Sequence, residues 1–349
     1  MKKALFIFAG LFVSAGLLIA QSNFSDVNQS GTNQIATVNQ DGGYIEAFVV
    51  QSNNRNEATI DQVNDHLWPE NTIKADVRQT GARNEAIIDQ QHNGNLPARA
   101  GLIEAWVRQS GDQNMAVQVQ GPHGQLGTAK ATINQSGDRN YASQHQLKYG
   151  NEATIRQSGN NNSAMQGQDA NLLPEEEGSF NVALIEQSGD NNNASQLQDG
   201  WSNDAVIKQS GNNNNATQTQ YSWVSDANVL QTGDHNIATQ NQTGNLNVAN
   251  ITQRSNRNLA VQGQVSGARR TGANYAPINE ATIMQRGGNG NGALQMQNSP
   301  GGDVLVNTAY ILQNGANNVA SQMQTGTNNI ALTDQIGNGN TNHVVQIMP

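Results

Sequence analysis

Gln209-Ser210-Gly211-Asn212-Asn213-Asn214-Asn215-Ala216-Thr217-Gln218-Thr219-Gln220 is the stretch that decides the fold of this chain. Asn214, Ala216 and Gln220 stand two and four residues apart. On a β-strand, whose side chains alternate, such even spacings put all three on one face; a helix would scatter them. The same unit, close to N-x-A-x-x-x-Q, appears at Asn151-Ala153-Gln157 and Asn318-Ala320-Gln324. Its Gln recurs from Gln29 to Gln346, twenty-six times, mostly at steps of eleven residues. Disorder requires no period, so this regularity separates the chain from an unstructured Gln/Asn-rich tract.

The residue two before the Gln shares its face and sorts the units into two alternating types. It is Val or Ile in the first type, as at Ile133, Ile155, Ile185 and Ile207. In the second type it is Gln from Gln118 through Gln144, Gln166 and Gln196 to Gln322, after Val38, Ile60 and Ile88 in the first three repeats. The period is therefore about 22 residues with two strands each, and twenty-six marked Gln residues make thirteen repeats.

Within a repeat the strands are joined by a stereotyped segment such as Gln135-Ser136-Gly137-Asp138-Arg139-Asn140. Gly111, Gly137, Gly159, Gly189, Gly211 and Gly233 mark its turn, and Gly, Asp and Asn tolerate the positive φ of a tight reversal. Between repeats the connector varies, with six longer steps that each contain one proline: Pro69, Pro97, Pro122, Pro174, Pro277 and Pro300. Proline lacks a ladder N–H, so its confinement there supports the strand assignment independently.

A strand-turn-strand unit of this size cannot bury one face alone, so the repeats must stack in register. The expected fold is all-β, a two-sheet β-solenoid of about 13 stacked repeats, roughly 60 Å long at about 4.8 Å per rung. Its interior sets Ile, Val and Ala against Ala, Gln and Asn. A buried unpaired amide costs about 1–3 kcal/mol, but identical amides stacked at identical positions bond to one another along the axis. The expected stacking residues are Gln135, Gln146, Gln157, Gln168, Gln187, Gln198, Gln209, Gln220, Gln231, Gln242, Gln253 and Gln264, with Asn140, Asn151, Asn162, Asn192, Asn203, Asn214, Asn236 and Asn258. On the outer face Glu46, Lys74, Glu104, Lys130 and Glu152 alternate in charge on successive rungs, a second register device. The open end rungs, with unpaired backbone and incomplete ladders, are expected to drive polymerisation.

The chain opens Met1-Lys2-Lys3, is apolar from Ala4 to Ala20, and turns polar at Gln21. That is the layout of a cleaved secretory signal peptide over 1–20, leaving the repeats in 21–349. A membrane anchor is the alternative, but the run is short and no second apolar segment follows. The chain has no cysteine, so no disulfide staples the fold. With 35% hydrophobic and 5% aromatic residues, a conventional globular core is not expected; a net charge of −9 with scattered Lys and Arg gives no case for nucleic acid.

The unit Q-x-G-x-x-N-x-A-x-x-x-Q, as in Gln157-Gly159-Asn162-Ala164-Gln168, resembles the curlin repeat of bacterial curli fibre subunits. The resemblance covers nearly all of residues 21–349. It implies a homo-polymer: export as an unfolded chain through outer-membrane secretion machinery, other curli-type subunits as partners, and templated folding into an amyloid fibre of the biofilm matrix. It also implies that the repeat Gln and Asn are stacking residues. The chain departs from that family in having thirteen repeats rather than about five, and in Asn53 and Ser255 at the turn-glycine position.

No enzyme is expected, and no cofactor. The six histidines occupy unrelated repeat positions and form no metal-ligand spacing. Gly287-Gly288-Asn289-Gly290 falls on the repeat turn and lacks the Lys-Ser/Thr of a phosphate loop. Glu175-Glu176-Glu177 reads as a solvated loop tip. A monomeric surface adhesin, with the variable edge binding a partner, is the alternative function. An ice-binding array would need Thr at alternate outward positions, which are mixed here.

Overall fold

The computed structural model describes residues 23–65, 72–92, 101–121, 128–148, 150–169, 180–267, 279–299 and 306–347. The expected signal peptide, all the prolines, His66, His123 and the Glu175–Glu177 tip lie outside these residues.

The chain is an all-β solenoid. Twenty-six strands run from β1 (Asn23–Thr32) and β2 (Ile35–Gly42) to β25 (Ile330–Ile336) and β26 (Thr341–Ile347), and no helix occurs among the described residues. The odd-numbered strands form one 13-stranded parallel sheet in chain order, and the even-numbered strands form the other. Consecutive strands thus face each other across the interior instead of pairing as a hairpin. Each strand pairs with its counterpart one repeat away, in a register that sets Gln on Gln: Gln135 opposite Gln157, and Gln146 opposite Gln168. Parallel in-register pairing is what equal spacing demands, because only it places identical amides over one another.

The dry part of the core is a column of Ile and Val from the first sheet against Ala from both. Ile133, Ile155, Ile185 and Ile207 are fully buried, with Ala142, Ala164, Ala194 and Ala216 facing them. Each such Ile contributes at most about 1.5–3 kcal/mol. A feature absent from the sequence reading sits six residues before Gln in the early repeats. There Ile45, Ile73 and Ile103 form a separate buried apolar cluster, which follows Asn23 on the first rung; buried Asn returns to that column at Asn151. The signal was present: these residues keep the even spacing of the inward face.

Candidate functional site

The distinctive chemistry of this molecule lies in its amide columns and in the end rungs where they stop. In the first sheet each marked Gln donates Nε2–H to Oε1 of the Gln one rung further on: Gln135 to Gln157 at 2.9 Å, Gln157 to Gln187, Gln187 to Gln209 and Gln209 to Gln231, each at 2.8 Å. This column is unbroken from Gln29 to Gln335, and Gln231 and Gln253 continue it. In the second sheet Gln146, Gln168, Gln198, Gln220, Gln242 and Gln264 form an equivalent column that ends at Gln346. In both, donors point toward the C-terminal end, so the rod has electrical and chemical polarity. The Gln residues also bond across the interior, as Gln157 Nε2 does to the Tyr141 carbonyl at 2.9 Å.

A third column, from Gln118 to Gln322, was visible as the Gln-x-Gln pair but was not among the expected stacking residues. It begins where Ile88 stands beneath Gln118, and the Gln118 Oε1 is accordingly buried without a donor. At the far end Gln322 faces Val344, and its Nε2 turns to Thr333 Oγ1 at 2.8 Å instead. Moving the lower end of the column changes no count of orphaned atoms, whereas interrupting its middle adds one. Gln118→Ile transfers the orphan to Gln144, while Gln196→Ile strips Gln218 of its donor. The expected result is that Gln196→Ile costs about 1–3 kcal/mol more than Gln118→Ile in urea unfolding; equal costs would refute the column as an energetic unit.

The Asn residues stack differently from the Gln. Asn140, Asn162, Asn192, Asn214, Asn236 and Asn258 in the second sheet each accept, on Oδ1, the backbone N–H of the Asn one rung on, as Asn140 does from Asn162 at 3.0 Å. Their Nδ2 groups serve both column and turn: those of Asn140, Asn214, Asn236 and Asn258 donate to Oδ1 of the Asn one rung before at 3.1–3.2 Å, and that of Asn162 donates to the Gly189 carbonyl at 2.7 Å and to the Ser158 carbonyl at 3.2 Å. In the first sheet Asn151 accepts from the Asn181 N–H and Asn203 from the Ser225 N–H. The Asn is therefore a staple between a strand start and two turns, a role its spacing did not reveal.

The turn also differs from expectation. Gly159 has φ +96°, and a Cβ there would lie 2.2 Å from the Gly189 carbonyl oxygen, so close rung approach as well as conformation requires glycine. The second left-handed position holds Arg139, His235 and Arg257 as readily as Asn161. The Asp or Asn between them is kept for another reason. Asp138 Oδ1 accepts the Asp112 N–H at 2.8 Å, Asn160 Oδ1 accepts from Asp138, and Asp190 Oδ1 accepts from Asn160. A short side-chain acceptor thus carries the rung-to-rung bonding through the turn.

Of the expected alternating charges, Glu46 and Lys74 meet at 3.5 Å. Glu104, Lys130 and Glu152 share that column without an ion pair, and Lys74 lies 5.5 Å from the Phe48 ring and 5.9 Å from that of Trp106. The tighter cluster sits one residue before Gln, where Glu186 bonds Arg156 at 2.7 Å and Lys208 at 2.8 Å. The Lys208 hydrogen bond leads in holding the Glu186 carboxyl below its usual range, with Arg156 adding to it.

Asp204 and Asp226 stack directly. Burial raises both carboxyls above the ordinary value, and the Asp226 charge adds to the rise at Asp204. Because the folded state then holds these protons more tightly than the unfolded chain, stability rises as pH falls from neutral through the raised values. Glu186 acts oppositely, its contribution fading as pH falls through its lowered folded value. The expected outcome is that Asp204→Asn/Asp226→Asn raises the urea midpoint at pH 7 and removes part of the gain that wild type shows as the pH is lowered from neutral; an unchanged pH profile would refute it.

Among the described residues no group of three or more His, Cys, Asp or Glu is placed to hold a metal ion. No helix among them is long and apolar enough to cross a membrane. At the last rung the Asn329 Oδ1 is buried without a donor, although the equivalent Asn307 Oδ1 accepts the Asn329 N–H at 2.9 Å. At the first rung the Gln34 Oε1 is likewise buried and unpaired. No protein-family model matches the chain, and no curated protein matches it.

Proposed function

We propose that this chain is a secreted structural subunit, with no catalytic role, that self-assembles end to end into curli-like amyloid fibres for surface adhesion and biofilm matrix. The observation that carries the reading is the open valence of the last rung. Asn329 presents a buried acceptor at the position where each equivalent acceptor below it receives a bond from the next rung. The first rung of a second copy would supply that rung, and the donor-to-acceptor direction of the Gln columns favours head-to-tail addition. Exposed Ile330, Leu332 and Ile336 on β25, and Phe24 and Val27 on β1, add apolar surface at the two ends. Polymerisation on the cell surface alongside other curli-type subunits, after export through outer-membrane secretion machinery, follows from the repeat resemblance.

One observation favours the monomeric adhesin instead: Thr333 satisfies the end of the third column within the chain. Residues 21–349 diluted from denaturant separate the two readings. Seedable fibres with a meridional spacing near 4.8 Å are expected; a soluble β-rich monomer that never elongates, seeded or not, would replace the fibre by the adhesin.

A further inference from the structure

The geometry points to a binding groove for a linear acidic polysaccharide, a polymer of uronate residues, lying along the rod on the outer face of the first sheet. The groove runs from Arg78 to Leu230. These residues span seven rungs, or about 29 Å. One wall is the column just before the Gln, which carries Arg78, Arg108, Arg156 and Lys208. The only carboxylate lining it is Glu186. Asp76 pairs with Arg78 at 3.0 Å and Glu186 is shared by Arg156 and Lys208, so four cations stand against two carboxylates and Arg108 keeps its charge unpaired among the described residues, a local excess of cations in a chain of net charge −9.

The opposite wall is a column of hydroxyls just after the Gln, from Thr80 to Ser210. Ser136 Oγ and Ser158 Oγ donate to the next rung's Gln carbonyl at 3.3 and 3.4 Å, long bonds that leave their oxygen lone pairs for hydroxyls of a ligand. Arg108 has no carboxylate partner among the described residues, and its guanidinium lies 6.0 Å from the Trp106 ring. Trp106, Arg108 and Asn134 also line an adjoining hollow on the same face, which adds an aromatic surface for the C–H face of a pyranose.

Cations at one-rung and two-rung intervals, about 5 and 10 Å apart, suit an extended polymer bearing a carboxylate on every residue or every second one. A single-stranded nucleic acid needs aromatic platforms for successive bases. Trp106 is the one ring beside this trough, so the sugar acid is the better match. The groove lies on the side of the rod, away from both end rungs, and does not depend on the assembly reading.

The test uses residues 21–349 captured on a sensor, with polygalacturonate oligomers, an uncharged glucan of the same length, and an oligo-dT of similar charge. The uronate is expected to bind about tenfold tighter than either control at low salt. Arg108→Gln/Arg156→Gln/Lys208→Gln should weaken it about tenfold, and Glu186→Gln should strengthen it. Arg108→Gln alone breaks no ion pair and should weaken it about threefold, which keeps the test decisive if the triple variant loses its β-sheet circular dichroism. Absence of uronate binding, equal binding by wild type and Arg108→Gln, or tighter binding of oligo-dT would each overturn the proposal.

Discussion

Gly159→Ala is expected to break the rod at its sixth rung and to abolish seeded elongation. The added methyl meets the Gly189 carbonyl at 2.2 Å, and φ at Gly159 is +96°. Left-handed strain in a non-glycine residue costs about 1–3 kcal/mol, and overpacking against backbone adds about 1–3 kcal/mol. Relief by moving the rungs apart would lengthen the Asn162 bond to Gly189 and the Gln157 bond to Gln187 together. In a solenoid each rung is held only by its neighbours, so a lesion in the middle divides the rod into two weaker halves. The urea midpoint should fall by the equivalent of about 2–6 kcal/mol. Asn161→Gly, two residues on at φ +55°, is the control and should stay within about 1 kcal/mol of wild type. If both substitutions behave alike, the close approach of successive turns is not what selects glycine.

The fold was legible because one number, the even spacing within an eleven-residue step, fixes both the strand face and the register. Gln157 over Gln187 follows directly once like must stack on like, although they stand thirty positions apart in the chain. What spacing cannot convey is where an atom sends its bonds. Asn162 was placed in a column, yet its amide hydrogens go to two turns and only its oxygen bonds along the axis. Asp138 was assigned to the turn for its tolerance of positive φ, yet it works as an acceptor one rung away. Each reading was incomplete for one reason, since an Asx side chain imitates a backbone group and period alone does not say which: Asn214 bonds Asn192 along the axis and the Gly233 carbonyl in the turn with the same amide.

Charge was the least legible property. The column Glu46 to Glu152 alternates in sign, but ion pairing requires side chains that reach sideways across about 4.8 Å without losing better contacts. Lys74, with two aromatic rings within reach, holds Glu46 only at 3.5 Å, whereas Glu186, flanked by Arg156 and Lys208 on the adjoining rungs, has pairs of 2.7 and 2.8 Å. The end rungs were legible in principle, because any stack has two. The buried acceptor at Asn329 required coordinates.

Leu332→Pro combined with Val345→Pro is expected to leave a folded monomer that cannot elongate. Outward residues of each strand direct their N–H toward the next rung, as Thr308 does to the Asn329 carbonyl at 2.8 Å and Val319 does to that of Asn340 at 2.7 Å. Leu332 on β25 and Val345 on β26 occupy outward positions of the last rung, so their N–H groups point at empty space where a further copy would dock. Proline at these positions removes no bond within the chain, and an edge strand accepts it. Each added copy would lose two ladder bonds, at about 0.5–1.5 kcal/mol apiece, and would meet two rings where its own backbone must lie. Elongation from preformed seeds should slow by about a hundredfold or more, with circular dichroism and urea midpoint within error of wild type. Because a head-to-tail fibre uses the C-terminal face in every junction, the variant should form no dimers either. Dimers that persist at high concentration would mean that the two N-terminal faces associate, and the polarity of the Gln columns would then not set the direction of growth.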